Sequence, residues 1–317
     1  MLSCTEFIPL YSEFFKYLAK CDGDDAVMDY WIHISDTSIG DKNNPNSLAA
    51  KCELYGGFGG AIAYWGHTLS EEACDTYEIQ NPKDHYVYSV MRHCPSKGML
   101  NSLSHVEPYH NYCEHCNVIY SRVLEKYGIV YERDHSEIAN ARCSSLLYEK
   151  DNKPTFDYTK PTPDCTVFDE KREGAKYLHR DFHLLGDNAL VYCGEKYGEA
   201  GVRDFLDSYT RGFFSPVIEK IKKEGLSAIR DWLINLYEIE EASELITYEL
   251  TDNTLSVKIE RSPVIDYMKT LGKEPSKYYA EETRTVYASL ADASGFGFSL
   301  DEYDEKTGKA SYRFFKV

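Results

Sequence analysis

The chain is short of positive charge. Its 317 residues hold 35 lysines and arginines against 52 aspartates and glutamates, a formal net charge of -17. An acidic surface argues against nucleic acid and anionic membranes as partners, because basic patches hold both. Long apolar runs are also missing. No stretch of about 18 apolar residues exists, so no transmembrane helix is predicted. Met1 to Leu10 carries Glu6 and no basic region, so it does not read as a secretory signal. The ten cysteines are therefore expected as free thiols, metal ligands or a nucleophile rather than as disulfides, in a cytoplasmic chain. For Cys4, Cys21, Cys52, Cys74, Cys165 and Cys193 the plain expectation is a small buried hydrophobe. The glycine-rich run Leu54-Tyr55-Gly56-Gly57-Phe58-Gly59-Gly60-Ala61 lacks the lysine and preceding strand of a phosphate loop. Close helix packing or a substrate approaching the backbone is expected there.

Tyrosine, in contrast, is abundant at 27 residues, many expected with the ring packed and the hydroxyl bonded. The length suggests about two domains. Phe7, Ile8, Tyr11, Phe14, Phe15 and Leu18 mark a helix over residues 5–20. Gly23 ends it, and Asp24 is expected to cap a second helix. Strands are predicted around Thr76–Ile79 and His85–Arg92, a helix over 113–127, and a hairpin from Ile129–Glu132 to Cys143–Tyr148. Residues 151–174 hold prolines and charges and read as a linker. Beyond it, helices are predicted at 185–196, 200–214 and 216–237, then strands at Leu245–Leu250 and Leu255–Arg261. A helix over 283–293 and a final hairpin to Val317 complete the chain.

The two halves can be laid over each other. Thr76-Tyr77-Glu78-Ile79 matches Thr247-Tyr248-Glu249-Leu250, His93-Cys94-Pro95 matches Arg261-Ser262-Pro263, and Ile119-Tyr120 matches Val286-Tyr287. Gly128 falls on Gly295, Asp134 on Asp301 and Tyr148 on Phe315. This pattern predicts an α+β fold of two tandem repeats, residues 1–150 and 175–317, packed as a pseudo-dimer. Each has a helical segment, a small antiparallel sheet, a packed helix and a C-terminal hairpin. The overlay also sorts the cysteines. Cys94 falls on Ser262, Cys113 on Ala280, Cys116 on Thr283 and Cys143 on Ala310. Thiols that are absent together are more readily explained by one shared site than by separate packing roles.

Four chemistries fit that set. Cys94, Cys113, Cys116 and Cys143 can ligate zinc, with His115 or Glu114 replacing one of them and leaving a position for water. One thiolate can be a nucleophile with His115, His93 or His110 as its base, Cys113, Cys116 and Cys94 being the candidates. A helix start at Cys113 and Cys116 would favour the thiolate. A redox pair and plain packing are the other two. A second constellation is His179-Arg180-Asp181-Phe182-His183. On a helix His179 and His183 would share a face as a metal half-site, with Asp181 pointing elsewhere. Capping or surface histidines are the plainer reading. Glu281-Glu282 reads as an ordinary helix-start pair.

The half-length pattern resembles the L-2-amino-thiazoline-4-carboxylic acid hydrolase family. The likeness lies in Leu178-His179-Arg180-Asp181-Phe182-His183, Glu195-Lys196-Tyr197-Gly198 and Tyr303–Gly308 of the second half. In the first half it lies in Arg92-His93-Cys94-Pro95, Tyr112-Cys113-Glu114-His115-Cys116 and Ala141-Arg142-Cys143. More distantly, the helix and hairpin with cysteines at both ends look like 4-vinyl-reductase-type ligand-binding domains, some of which hold zinc through cysteines and a glutamate. The first resemblance implies hydrolytic opening of a small cyclic C–N or C–S compound at the first repeat's thiol or metal site. The alternative is a binding or sensor module for a small apolar ligand, with a structural zinc.

Overall fold

The computed structural model describes residues 1–317. It is an α+β fold with two antiparallel sheets. Helices α1 (Phe7–Asp22), α2 (Asp24–Ile34), α3 (Leu48–Tyr55) and α4 (Gly57–Glu71) come first. Strands β1 (Thr76–Asn81) and β2 (Tyr86–Met91) follow, then α5 (Pro95–Ser102), α6 (Glu114–Glu125), β3 (Ile129–Asp134), β4 (Cys143–Glu149) and β5 (Thr166–Glu170). The rest comprises α7 (Phe182–Phe213), α8 (Ser215–Glu224), α9 (Leu226–Ile239), β6 (Ile246–Leu250), β7 (Thr254–Ile259), α10 (Pro263–Thr270), α11 (Glu281–Ser294), β8 (Phe296–Tyr303) and β9 (Ala310–Lys316). No helix is long and apolar enough to cross a membrane.

The chain divides into two compact units. A cysteine unit holds Leu18–Leu103 and Tyr109–His179; a C-terminal unit holds Met1–Tyr17, Ser104–Pro108 and Arg180–Val317. Expected domain 1–150 thus gives up its first residues. The reason is the apolar stripe of α1, whose Phe7 ring stacks on Phe182 at 4.5 Å and whose Phe14 ring meets Phe205 at 4.9 Å. The sheet of the cysteine unit runs β3-β4-β2-β1-β5, and that of the C-terminal unit runs β6-β7-β9-β8. Without β5 the two share one order and one succession of elements. Both units cap the helix after the second strand in the same way: Cys94 Sγ accepts from Lys97 N–H at 3.5 Å and Ser262 Oγ from Ile265 N–H at 3.4 Å.

The segment expected to be a linker is structured. Its strand β5 pairs with β1 from Thr76↔Glu170 to Gln80↔Thr166. Tyr158 and Cys165 pack on Ile79, Tyr86, Leu146 and Tyr148, closing one sheet face. Period two then assigns the other face to Val87, Ser89, Met91, Cys143, Ser145, Leu147, Tyr131 and Arg133. On that side the Trp65 ring of α4 stacks on Tyr131 at 5.4 Å, and Tyr120 of α6 meets Trp65 at 5.3 Å.

Local signals set the helix ends. Gly23 rather than Asp24 is the N-cap of α2. The helix expected over 216–237 breaks into α8 and α9 at Gly225, whose φ of 73° favours a residue without Cβ. The glycine-rich run opens α4 against α3. A Cβ at Gly60 would lie 2.3 Å from the Cys52 backbone, whereas Gly66 on the same helix faces open space. Gly60→Ala is therefore expected to lower the unfolding free energy by about 1–3 kcal/mol in urea denaturation, through overpacking. Gly66→Ala is expected to be neutral or to stabilise by roughly 0.5–1 kcal/mol, from helix propensity. Equal effects at both positions would contradict this packing.

Candidate functional site

The inner face of the cysteine-unit sheet carries an inward charge. In β3, Ile129, Tyr131 and Arg133 share one side, so Arg133 enters a position whose neighbours are apolar. Its Nη1–H donates to Tyr131 Oη at 2.6 Å and its Nη2–H to Cys143 Sγ at 2.6 Å. Its Nε–H is shut off from water and has no protein partner. Cys143 opens β4 and is 2% exposed. Cys94 ends the turn after β2, and its backbone N–H donates to Ala141 O at 2.5 Å. This link brings Cys94 beside the start of β4, where Cys143 stands.

These contacts split the thiols electrostatically. The Cys94 hydrogen bond lowers the Cys143 pKa below the ordinary thiol range; burial opposes the shift and the Arg133 guanidinium reinforces it. Cys94 is raised by the same hydrogen bond and by burial, so it keeps its proton. Of the two, Cys143 has the surroundings that favour the thiolate.

Cys113 and Cys116 lie where the sequence predicts, at the start of α6, with Cys113 as its N-cap residue. The expected thiolate is not there. Burial pushes both thiols up to about 11, and the helix start does not compensate for lost water. His115 Nδ1 bonds the Tyr112 carbonyl, which can only accept. That assigns the proton to Nδ1 and turns the Nε2 lone pair toward Cys116 Sγ at 3.4 Å. Burial holds the His115 pKa down to about 4, so the ring stays neutral. The expected zinc set does not assemble: no three of Cys94, Cys113, Cys116, Cys143 and His115 bring their ligand atoms close enough together to hold one ion.

Two groups here were not singled out from sequence. Arg133 had a signal: alternation in β3 points it inward, and at the offset of 167 it falls on Leu300. The C-terminal half thus carries neither the guanidinium nor the thiols at the overlaid positions. Glu72, at the end of α4, is pushed up to about 7 by burial, so it can hold or release a proton near neutrality. No local pattern marks it. Trp65, Leu69, Met91, Arg133, Cys143 and Ser145 line a narrow cleft of about 20 Å³, room for about one water.

The second constellation separates. Helix α7 begins at Phe182, so His179 precedes it and the i,i+4 relation with His183 does not hold. His179 Nδ1 bonds Glu71 Oε2 at 2.7 Å. Asp181 accepts from Tyr267 Oη–H at 2.6 Å. His183 Nε2 lies 3.1 Å from Glu240 Oε2, both side chains being buried.

In the C-terminal unit the positions matching the thiols enclose the chain's own first residues. Ser262, Thr283, Tyr287 and Ala310 line a cavity that Met1 enters. The Met1 amine donates to Thr283 Oγ1 at 2.9 Å, Leu2 N–H to Glu282 Oε2 at 3.2 Å, and Cys4 N–H to Glu240 Oε1 at 2.6 Å. Glu282, expected as an ordinary helix-start residue, is 7% exposed and reads a backbone amide.

The ionisation of Cys143 is open to measurement. Its folded pKa lies below its unfolded one. The pairing therefore adds stability that is fully present above the ordinary thiol pKa and is lost as pH falls through the folded value. Difference ultraviolet titration of wild type against Cys143→Ser is expected to show one thiolate forming below the usual thiol range. In Arg133→Met the midpoint is expected to rise toward that range. An unchanged midpoint in Arg133→Met would show that the guanidinium does not hold the thiolate.

Comparison with protein families, with curated proteins and with solved structures finds no match to this chain.

Proposed function

We propose that the chain is a thiol-dependent hydrolase that opens a small cyclic C–N or C–S compound bearing a carboxylate, of the 2-amino-thiazoline-carboxylate type. The observation that carries this reading is Cys143 as a thiolate, held by the Arg133 guanidinium at 2.6 Å and by the Cys94 thiol. A thiolate is the reactive form of cysteine, and a buried cation beside it is how its proton is displaced. The free Nε–H of Arg133 is a further donor, which a substrate carboxylate can use.

In the proposed sequence Cys143 Sγ attacks the amidine carbon between the ring sulfur and nitrogen. The ring C–N bond breaks, and the nitrogen takes a proton and leaves as an amine. Water then adds to the same carbon and expels the Cys143 thiolate, leaving a carbamoyl thioester of the opened amino acid. The cleft has room for about one water, so the ring must displace side chains such as Met91 or Trp65 as it enters.

The same guanidinium favours a thiolate over a zinc ion. Arg133 already supplies the positive charge at Cys143, and a divalent cation bound by that sulfur would face it at close range. The two repeats fit one origin by duplication, with catalysis kept in the cysteine-bearing copy. Matching sheet order and matching helix caps support this.

The test is turnover of 2-amino-thiazoline-4-carboxylate by the full chain, read as appearance of the ring-opened amine. Cys143→Ser is expected to lower kcat by about a thousandfold or more while the circular dichroism is kept. Arg133→Lys is expected to raise KM, because a point charge replaces the fork. Cys113→Ser and chelation are expected to leave kcat within about threefold, far from the factor of ten that about 1.4 kcal/mol would give. Full activity of Cys143→Ser, or activity lost on chelation and restored by zinc, would overturn the assignment.

A further inference from the structure

Cys94 and Cys143 have a property that hydrolysis does not require. A nucleophile needs one thiol and a cation; here the backbone brings a second thiol beside the first. Cys94 is fixed from both sides, by its N–H on Ala141 O at 2.5 Å and by its sulfur capping α5 at 3.5 Å from Lys97 N. Cys143 is fixed by register, as the Cα partner of Met91, three residues before Cys94. The matching positions of the C-terminal unit, Ser262 and Ala310, retain the cap but not the pair.

We infer that Cys94 and Cys143 are a reversible oxidation site, at which hydrogen peroxide drives an internal disulfide that switches the thiolate off. Peroxide is the oxidant class that fits. The cleft in front of Cys143 has room for about one water, so a molecule little larger than water reaches the sulfur with the least displacement of side chains. The Cys143 thiolate attacks one peroxide oxygen, the O–O bond breaks, hydroxide leaves, and Cys143 becomes a sulfenic acid. The hydroxide released in that step takes the Cys94 proton and leaves as water; the Cys94 thiolate so formed attacks the Cys143 sulfur, the S–O bond breaks, and a second hydroxide leaves. The thiols together give up one electron pair, which peroxide takes. Cys94 is half-buried and follows β2 directly, three residues after the Cα partner of Cys143. The inference rests on Cys143 as the thiolate but not on any hydrolytic activity.

The experiment uses the full chain, treated with hydrogen peroxide, alkylated, digested with trypsin without reduction and read by mass spectrometry. Cys94 falls in the fragment His93–Lys97 and Cys143 in Cys143–Lys150, whereas Cys113 and Cys116 share a third fragment. The expected result is a cross-linked His93–Lys97 and Cys143–Lys150 pair that dithiothreitol releases, with Cys113 and Cys116 alkylated. In Cys94→Ser, dimedone is expected to trap a sulfenic acid on Cys143; in Cys143→Ser, Cys94 is expected to stay reduced. A Cys113–Cys116 link in place of the expected pair, or Cys94 and Cys143 both alkylated after peroxide, overturns the inference. Since the readout is a bond and not turnover, its failure leaves the hydrolase reading standing, and the reverse also holds.

Discussion

The cysteine unit depends on one buried ion pair, the guanidinium of Arg133 against the thiolate of Cys143. Taking a cation out of water costs several kcal/mol, and that cost is offset only where good partners replace the solvent. Tyr131 Oη and Cys143 Sγ, each at 2.6 Å, are those partners. The pair orders what surrounds it. Tyr131 is held between Arg133 and the Trp65 ring, and Trp65 meets Tyr120. Removing either charge would leave the other buried, with a penalty of about 3–5 kcal/mol. A sheet face built this way is specific as well as stable.

The C-terminal unit shows the same frame without that constraint. Its strands run in the same order, and its helix α11 packs on β8 and β9 through Tyr287, Phe298, Tyr312 and Phe314. Where the cysteine unit has a cation and thiols, this unit has Leu300, Ser262, Thr283 and Ala310, and Met1 fills the space. Ring packing and tyrosine hydroxyls stabilise it, and no buried guanidinium has to be satisfied. The frame therefore does not dictate the chemistry. A few inward positions on β3, β4 and α6 do.

Much of the frame was legible in the sequence. Period two gave the strands, glycines and apolar stripes gave the helices, and the overlay of the halves gave the common order of elements. Cys94 and Cys143 stood out in the sequence only as two of four thiols that fall together on other residues of the C-terminal half. Arg133 was readable in principle, as a charge on the apolar side of a strand that becomes Leu300 at the same offset. The linker was misjudged because prolines and charges also suit an edge strand and a surface cover. Only contact with Ile79, Tyr86 and Tyr148 reveals that role. The His179–His183 pairing failed because helix α7 starts at Phe182, which leaves His179 outside it.

The sequence by itself determined the class of fold, the α and β periods, the acidic character and the set of thiols to consider, because these follow from local patterning and composition. Which thiol is ionised was decided by tertiary structure alone. Cys113 and Cys116 have the favourable local position at a helix start, yet burial raises both to about 11. Cys143, in mid-sheet, is lowered by Cys94 and by Arg133, ten residues away in sequence and on the neighbouring strand. A pKa depends on distances between charges and on lost water, and both are set only when the strands have paired.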